Sequence, residues 1–299
     1  MGPEPRTLWG RRIAHDDPRH RGLSIVADDP RADGYESFYR EFDSPLMRRL
    51  RQEAYGEDIG QHSWVGSEEL RADVRRLGLS SSSRLLDLGC GPCGPLTFVA
   101  AAAGCRATGL ELSPSALRVG RERAALLGVH SLISTCEADL NLPLPLESAA
   151  FDAAMSLDVV LHVRDRSTLF LETRRVLCAG AKFLFTDAGV ITGAVSNLEM
   201  QRRSPHGFTQ FVIAGWNEAL LEHAGFRLLE IEDRTASVSR NASGRLAAID
   251  AHRSELEQAS GAAAFASQRE YLETVIELSR RRALSRIMYL AEVPALGND

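Results

Sequence analysis

The 299 residues are 44% hydrophobic and 25% charged, a globular balance, and the net charge of −5 argues against a broad basic face for nucleic acid. No apolar run reaches the ~20 residues that span a bilayer, and MGPEPRTLWGRRIAHDD lacks the apolar centre of a signal peptide, so no membrane partner is expected. Five cysteines, an odd number without repeated spacing, point to a reducing cytoplasm rather than a disulfide scaffold.

In chain order, residues 1–33 are rich in Arg, Asp, Pro and Gly and read as a loosely ordered arm. Tyr35, Phe38, Tyr39, Phe42, Leu46 and Leu50 recur at helical spacing, and Tyr35 or Tyr39 is a candidate substrate contact. Ser67 is placed to cap a second helix, SEELRADVRRLG, which Gly78 ends. Short apolar runs then alternate with helical ones. SRLLDLG reads as a strand and GPLTFVAAAAG as a helix; CRATGLEL as a strand and SPSALRVGRERAALLG as a helix capped by Ser113. SLISTCEA and FDAAMSLD follow as strands, then the helix RSTLFLETRRVL and the strand AKFLFTD. After it comes RRSPHGF, where His206 is a candidate loop residue over a pocket. WNEALLEHAG reads as a helix, FRLLEIED as a strand, stretches near 243–258 and 262–283 as helices, and LSRIMYLAEV as a last strand. Alternating strands and helices imply an α/β fold: a mainly parallel seven-stranded sheet with helices on both faces and a helical cap or lid. The predicted organisation is an arm and cap over 1–66, a core over 67–235, an inserted helical lid over 236–283 and a closing strand over 284–299.

Leu85–Phe98, LLDLGCGPCGPLTF, fits three cofactor patterns at once. CGPC matches the thioredoxin redox motif, but the aromatic strand end that usually precedes it is replaced by LLDLG, so Cys90 and Cys93 read as small residues in a tight turn. GCGPCG matches the dinucleotide fingerprint. Against that reading, Asp87 at the strand mouth would repel a pyrophosphate, and Pro92 removes one N–H from the loop. Both features suit a phosphate-free ligand with positive charge, such as S-adenosylmethionine (SAM), whose ammonium Asp87 can attract while Gly89, Cys90 and Gly91 pack close. Glu111, with Leu112 beside it, ends the second strand and suits two ribose hydroxyls in either cofactor class. Asp139 in CEADL can accept from an adenine amino group, with Leu140 against the ring, which favours SAM.

With these residues in place, LLDLGCGPCG, GLELS, CEADL, FDAAMSLDVVLHV and RVLCAGAKFLFTD together resemble class I SAM-dependent methyltransferases over roughly 85–187. Cys178-Ala179 before Gly180 departs from the family's usual Pro-Gly-Gly turn. SLDVVLHVRDR and YGEDIGQHSWVG are most similar to small-molecule N-methyltransferases of the sarcosine/dimethylglycine and phosphoethanolamine type. The resemblance implies a Rossmann-like core. It implies that Gln61, Ser63 and Trp64 reach the methionine end of SAM, that Ser156, Leu157 and Asp158 line the cofactor, and that His162 faces the substrate. His162 lies four residues after Asp158, about one helical turn, so Asp158 is placed to orient it as a general base. The expected activity is methyl transfer from SAM to a small-molecule N, O or C nucleophile of specialised or natural-product metabolism, without a metal. Two alternatives stay open: a SAM-fold protein that catalyses a non-methylating rearrangement or serves as a binding partner, and an NAD oxidoreductase. Self-association into a homo-oligomer also stays open.

Overall fold

The computed structural model describes residues 36, 39–204 and 207–295. The N-terminal arm, Tyr35, Phe38 and His206 lie outside the described residues.

The expected helix around residues 35–55 is broken. A turn spans 41–43, and α1, Pro45–Tyr55, starts afresh where Ser44 Oγ accepts from Met47 N–H. α2, Ser67–Leu77, ends at Gly78 in the left-handed region as the sequence implies, but Gly66 is its cap and Ser67 its first residue. The alternation then unfolds as β1 (Arg84–Leu88), α3 (Gly94–Ala103), β2 (Arg106–Glu111), α4 (Pro114–Leu126), β3 (Ile133–Glu137), β4 (Phe151–Leu157), α5 (Arg166–Val176) and β5 (Leu177–Ile191). α6 (Asn197–Arg203), β6 (Val212–Ile213), α7 (Trp216–His223) and β7 (Arg227–Asp233) follow, then α8 (Thr235–Ala251), α9 (Arg253–Ser260), α10 (Ala262–Arg280) and β8 (Leu284–Glu292).

The strands form one sheet in the order β3-β2-β1-β4-β5-β8-β7, with β8 antiparallel to both of its neighbours. The sheet has eight strands rather than the expected seven, because the two-residue β6 pairs beside the end of β5. Two residues carry no readable period. The order reverses between β1 and β4, which opens a crevice at their carboxyl ends, where ligands bind in such sheets.

Both faces of the sheet are covered, so its central strands are continuously apolar. Alternation assigns each residue to a face. Phe183 and Phe185 pack with Phe170 on one face, and Phe185 stacks on Tyr289 with ring centroids 4.8 Å apart. Leu184 turns to the other face with Leu85, Leu96 and Met155. Each such side chain contributes about 1.5–3 kcal/mol on burial. A third cluster lies above the crevice, where Leu50 of α1 meets Val238, Ala242 and Ile249 of α8 and Leu272, Val275 and Ile276 of α10. The predicted helix 243–258 therefore belongs to two helices, and the first of them starts at Thr235 and ends before His252.

Candidate active site

A cavity of about 330 Å³ lies over the carboxyl ends of β1, β2 and β4 and the loop that follows β3. Its floor is the glycine loop. The N–H groups of Gly89 and Cys90 both donate to the Leu110 carbonyl at 2.9 Å, tying the loop to β2. Glu111 completes the tie: one carboxylate oxygen accepts from Gly91 N–H at 3.0 Å, the other from Leu112 and Ser113 N–H at 2.9 and 3.0 Å. Burial raises the Glu111 carboxyl above its ordinary range, against the pull of those three N–H groups.

Asp87 is 3% exposed, and its carboxyl has no hydrogen-bond partner among the described residues. Burial, reinforced by the charge of Glu111, pushes it up to about 8. A buried carboxylate without donors wants a cation, so the cavity floor suits a cationic ligand and rejects phosphate. This is the fit expected for SAM, and Ser63 Oγ, buried in the same wall with no partner among the described residues, supplies a further unsatisfied polar atom. Asp139 and Leu140 border the cavity beyond β3, where Asn141 N and Nδ2 both bond Asp139 Oδ1.

The two thiols of CGPC fill space. Cys90 and Cys93 are free, and their sulfurs lie 3.6 Å apart. A Cβ on Gly109 of β2 would lie 2.5 Å from Cys90 Sγ, and one on Gly120 of α4 would lie 2.5 Å from Cys93 Sγ. The hydrogen bond shared with Cys93, together with burial, raises the Cys90 thiol well above its ordinary value, opposite to a reactive cysteine. Cys93→Ser should therefore keep cofactor binding and turnover within a few-fold and cost about 1–2 kcal/mol of stability, checked by melting and by assay under reducing conditions. Disulfide reductase activity in the wild type that disappears in this variant would contradict the packing role.

A segment from residue 61 to 64 forms part of the cavity wall. Gly94, at the start of α3, admits it: a Cβ there would lie 2.1 Å from Gly60 O. Gln61 lines the cavity but spends its amide locally, accepting from Ile59 N–H and donating to Glu57 O. Trp64 N–H donates to Asp158 Oδ2 at 2.9 Å, and Trp64 O accepts from Asn241 Nδ2 of α8 at 2.6 Å. Arg245 of α8 holds the His62 and Ser63 carbonyls and lies 4.4 Å over the Trp64 ring.

Two expectations need correction. Asp158 does not orient His162. Its Oδ1 accepts from Arg286 Nε at 2.7 Å and Thr186 Oγ1 at 2.8 Å, and its Oδ2 serves Trp64. Burial alone would raise Asp158, but Arg286 together with the Trp64 and Thr186 hydrogen bonds outweighs it and holds the carboxyl below its usual range. Arg286, fully buried, continues to Glu69, which also meets Arg234, itself paired with Asp73 at 2.5 Å. Asp158 is thus the inner end of an ion-pair chain that anchors the wall segment at Trp64. Ser156 does not line the cavity: it is fully buried, shares its sheet face with Ala154, and donates to Leu88 O at 2.9 Å. Leu157, on the opposite face, does line it.

His162 closes a 3₁₀ turn, Val160–His162, and borders the cavity. Its Nδ1 lies 3.1 Å from Phe208 O, which selects the neutral tautomer protonated at Nδ1 and leaves the lone pair on Nε2. Burial, assisted by the charge of Arg203, lowers its pKa below the ordinary value, so the ring is neutral at pH 7.

Sequence reasoning missed Arg203, Arg245, Tyr271 and Asn241. All but Asn241 border the cavity, and Trp64 stacks on Tyr271 at 6.4 Å. Their one signal, the pair Arg202-Arg203 beside His206, does not say which arginine turns inward.

Residues 86–185 match the family model described as a methyltransferase domain. Fold and match together define the class: the chain carries a methyltransferase domain of the class I, Rossmann-like kind. More particularly, it is similar to phosphoethanolamine N-methyltransferase 1 of Zea mays, 28% identical over 202 residues that cover 68% of this chain but 39% of that enzyme. It is 29% identical over 204 residues to sarcosine/dimethylglycine N-methyltransferase of Halorhodospira halochloris, covering 62% of this chain and 70% of the relative. In three dimensions it resembles phosphoethanolamine N-methyltransferase 2 of Haemonchus contortus, solved with phosphomonomethylethanolamine and S-adenosylhomocysteine (SAH). The TM-score is 0.73 at 20% identity, over 88% of this chain and 60% of that one. The chain spans about two fifths of the length of the Zea mays relative.

Proposed function

We propose that this protein binds SAM over the glycine loop and transfers its methyl group to a small molecule held under α8 and α10. The observation that carries the reading is Asp87, a buried carboxylate without donors among the described residues, at the mouth of β1. When bound, SAM supplies a methyl carbon made electrophilic by sulfonium. Asp87 attracts the ammonium, and Glu111, whose carboxylate keeps spare acceptor capacity after three N–H bonds, accepts the ribose hydroxyls. Asp139 faces the adenine amino group between Leu112 and Leu140. Trp64 and its wall segment exclude water, and His162 Nε2 takes the proton that the acceptor loses. The helices within 236–283 act as the lid. Five free cysteines support a reducing, cytoplasmic setting.

SAM and SAH should raise the melting temperature, and NAD should leave it unchanged. A screen of acceptors read by SAH release then separates methyl transfer from binding or rearrangement alone. Stabilisation by NAD and not by SAM would overturn the cofactor, and rearranged product without SAH would overturn the transfer.

A further inference from the structure

The contacts proposed for the cofactor leave one charged residue of the cavity without a role. α6 finishes with Arg203, which is 6% exposed and borders the cavity. Its Nη1 donates to Tyr271 Oη at 3.0 Å, and its guanidinium lies 5.4 Å from the Tyr271 ring and 6.0 Å from the Trp64 ring. Among the described residues Arg203 forms no ion pair, whereas its neighbour Arg202, exposed, pairs with Glu270 at 3.0 Å. A buried guanidinium without a carboxylate is costly, and four of its five N–H donors have no acceptor among the described residues.

A second observation lies beside it. Ser204 Oγ also borders the cavity, is buried, and has no hydrogen-bond partner among the described residues. Two adjacent residues therefore offer unsatisfied donors to the same space. The same cavity is lined by Leu50 of α1, Ala248 and Ile249 of α8 and Leu272 of α10, with His162, Arg245 and Gln268 among its polar groups. A ligand that answers all of this is acceptor-only at one end and hydrocarbon along its body. A protonated amine placed there would meet a guanidinium.

We propose that the methyl acceptor is an acid, an apolar molecule whose carboxylate or phosphate-type oxyanion binds Arg203 and Ser204. The acceptor role rests on the methyl-transfer reading; the acid site itself does not. The planar fork of Arg203 matches two oxygens of such a group at once.

The test is calorimetric titration with 2-naphthoate, 2-naphthyl phosphate and the neutral 2-naphthamide, with and without saturating SAH. At least one anion should bind about tenfold or more tightly than the amide, and the tighter of the two identifies the oxyanion. Arg203→Gln should abolish that preference, Arg203→Lys should keep part of it, and Ser204→Ala should reduce it several-fold, while SAH affinity stays within about twofold. Should Arg203→Gln not fold, the lysine and Ser204→Ala variants carry the comparison. Equal binding of acids and amide, no binding by any probe, or a preference that survives Arg203→Gln overturns the acid site. Acid preference in a protein that does not bind SAH leaves this site standing and removes the cofactor reading instead.

Discussion

Replacing His162 by alanine is expected to lower single-turnover methyl transfer by about 10²–10⁴-fold, the range for loss of a positioned general base. SAM affinity should change little, because the Phe208 carbonyl holds the ring beside Arg203 and none of the proposed cofactor contacts is made by His162. The pH profile carries a second signature. Burial first, and then Arg203, lower the pKa of His162, so the base is already neutral at pH 7. The rate should rise with pH on a limb lying below about 6.5, the ordinary value for histidine, and His162→Ala should lose that limb. A variant with the wild-type rate and the same limb would reduce His162 to a wall residue.

The second large effect belongs to Asp87. Its carboxyl titrates at about 8 in the folded protein, against about 3.9 for an unperturbed aspartate. Between those values the folded state holds a proton that the unfolded state has lost, so this residue makes stability fall as pH rises from about 4 to about 8. Asp87→Asn removes the effect. Without cofactor, the variant should melt above the wild type at pH 8 and lose that advantage toward pH 4, by several degrees if about 1–2 kcal/mol is recovered. Cofactor binding should respond in the opposite sense. An ammonium needs the ionised carboxylate, so wild-type affinity for SAM should climb by up to about tenfold per pH unit below 8. In Asp87→Asn it should be weaker by about 10–100-fold and nearly independent of pH, as expected for loss of a charged partner. Melting curves and SAM titrations between pH 6 and 8 read both effects. A wild type whose SAM affinity is flat with pH would mean that Asp87 meets no cation.

The sequence carried local information well and distant information poorly. The glycine loop and Glu111 were legible because the turn, the strand end and the N–H groups they serve lie within 25 residues of one another. The alternation of strands and helices gave the sheet and its crevice. Ser156 was misplaced because a family segment names three consecutive residues, while the pleat sends alternate side chains to opposite faces. Asp158 was given the wrong partner because helical spacing points to His162, only four residues on, whereas its actual partner Arg286 stands 128 residues away on β8. No periodicity could announce that pair. Arg203 and Arg245 look like ordinary surface arginines, and only the packing of α6 and α8 over the cavity turns them inward. The start of α8 was missed for a different reason: TASVSRNASG is poor in helix formers, and the helix is held by burial of Val238, Asn241 and Ala242.

The most direct measurement is a SAM titration of the wild type and Glu111→Ala at pH 7. Glu111 both ties down the glycine loop through three N–H bonds and faces the proposed ribose position. Its loss should weaken SAM binding by about 2–3 kcal/mol, roughly 30–150-fold. Saturable SAM binding by the wild type and that loss in the variant are the predicted result. Unchanged affinity in Glu111→Ala, or a wild type that binds NAD and not SAM, would contradict the account.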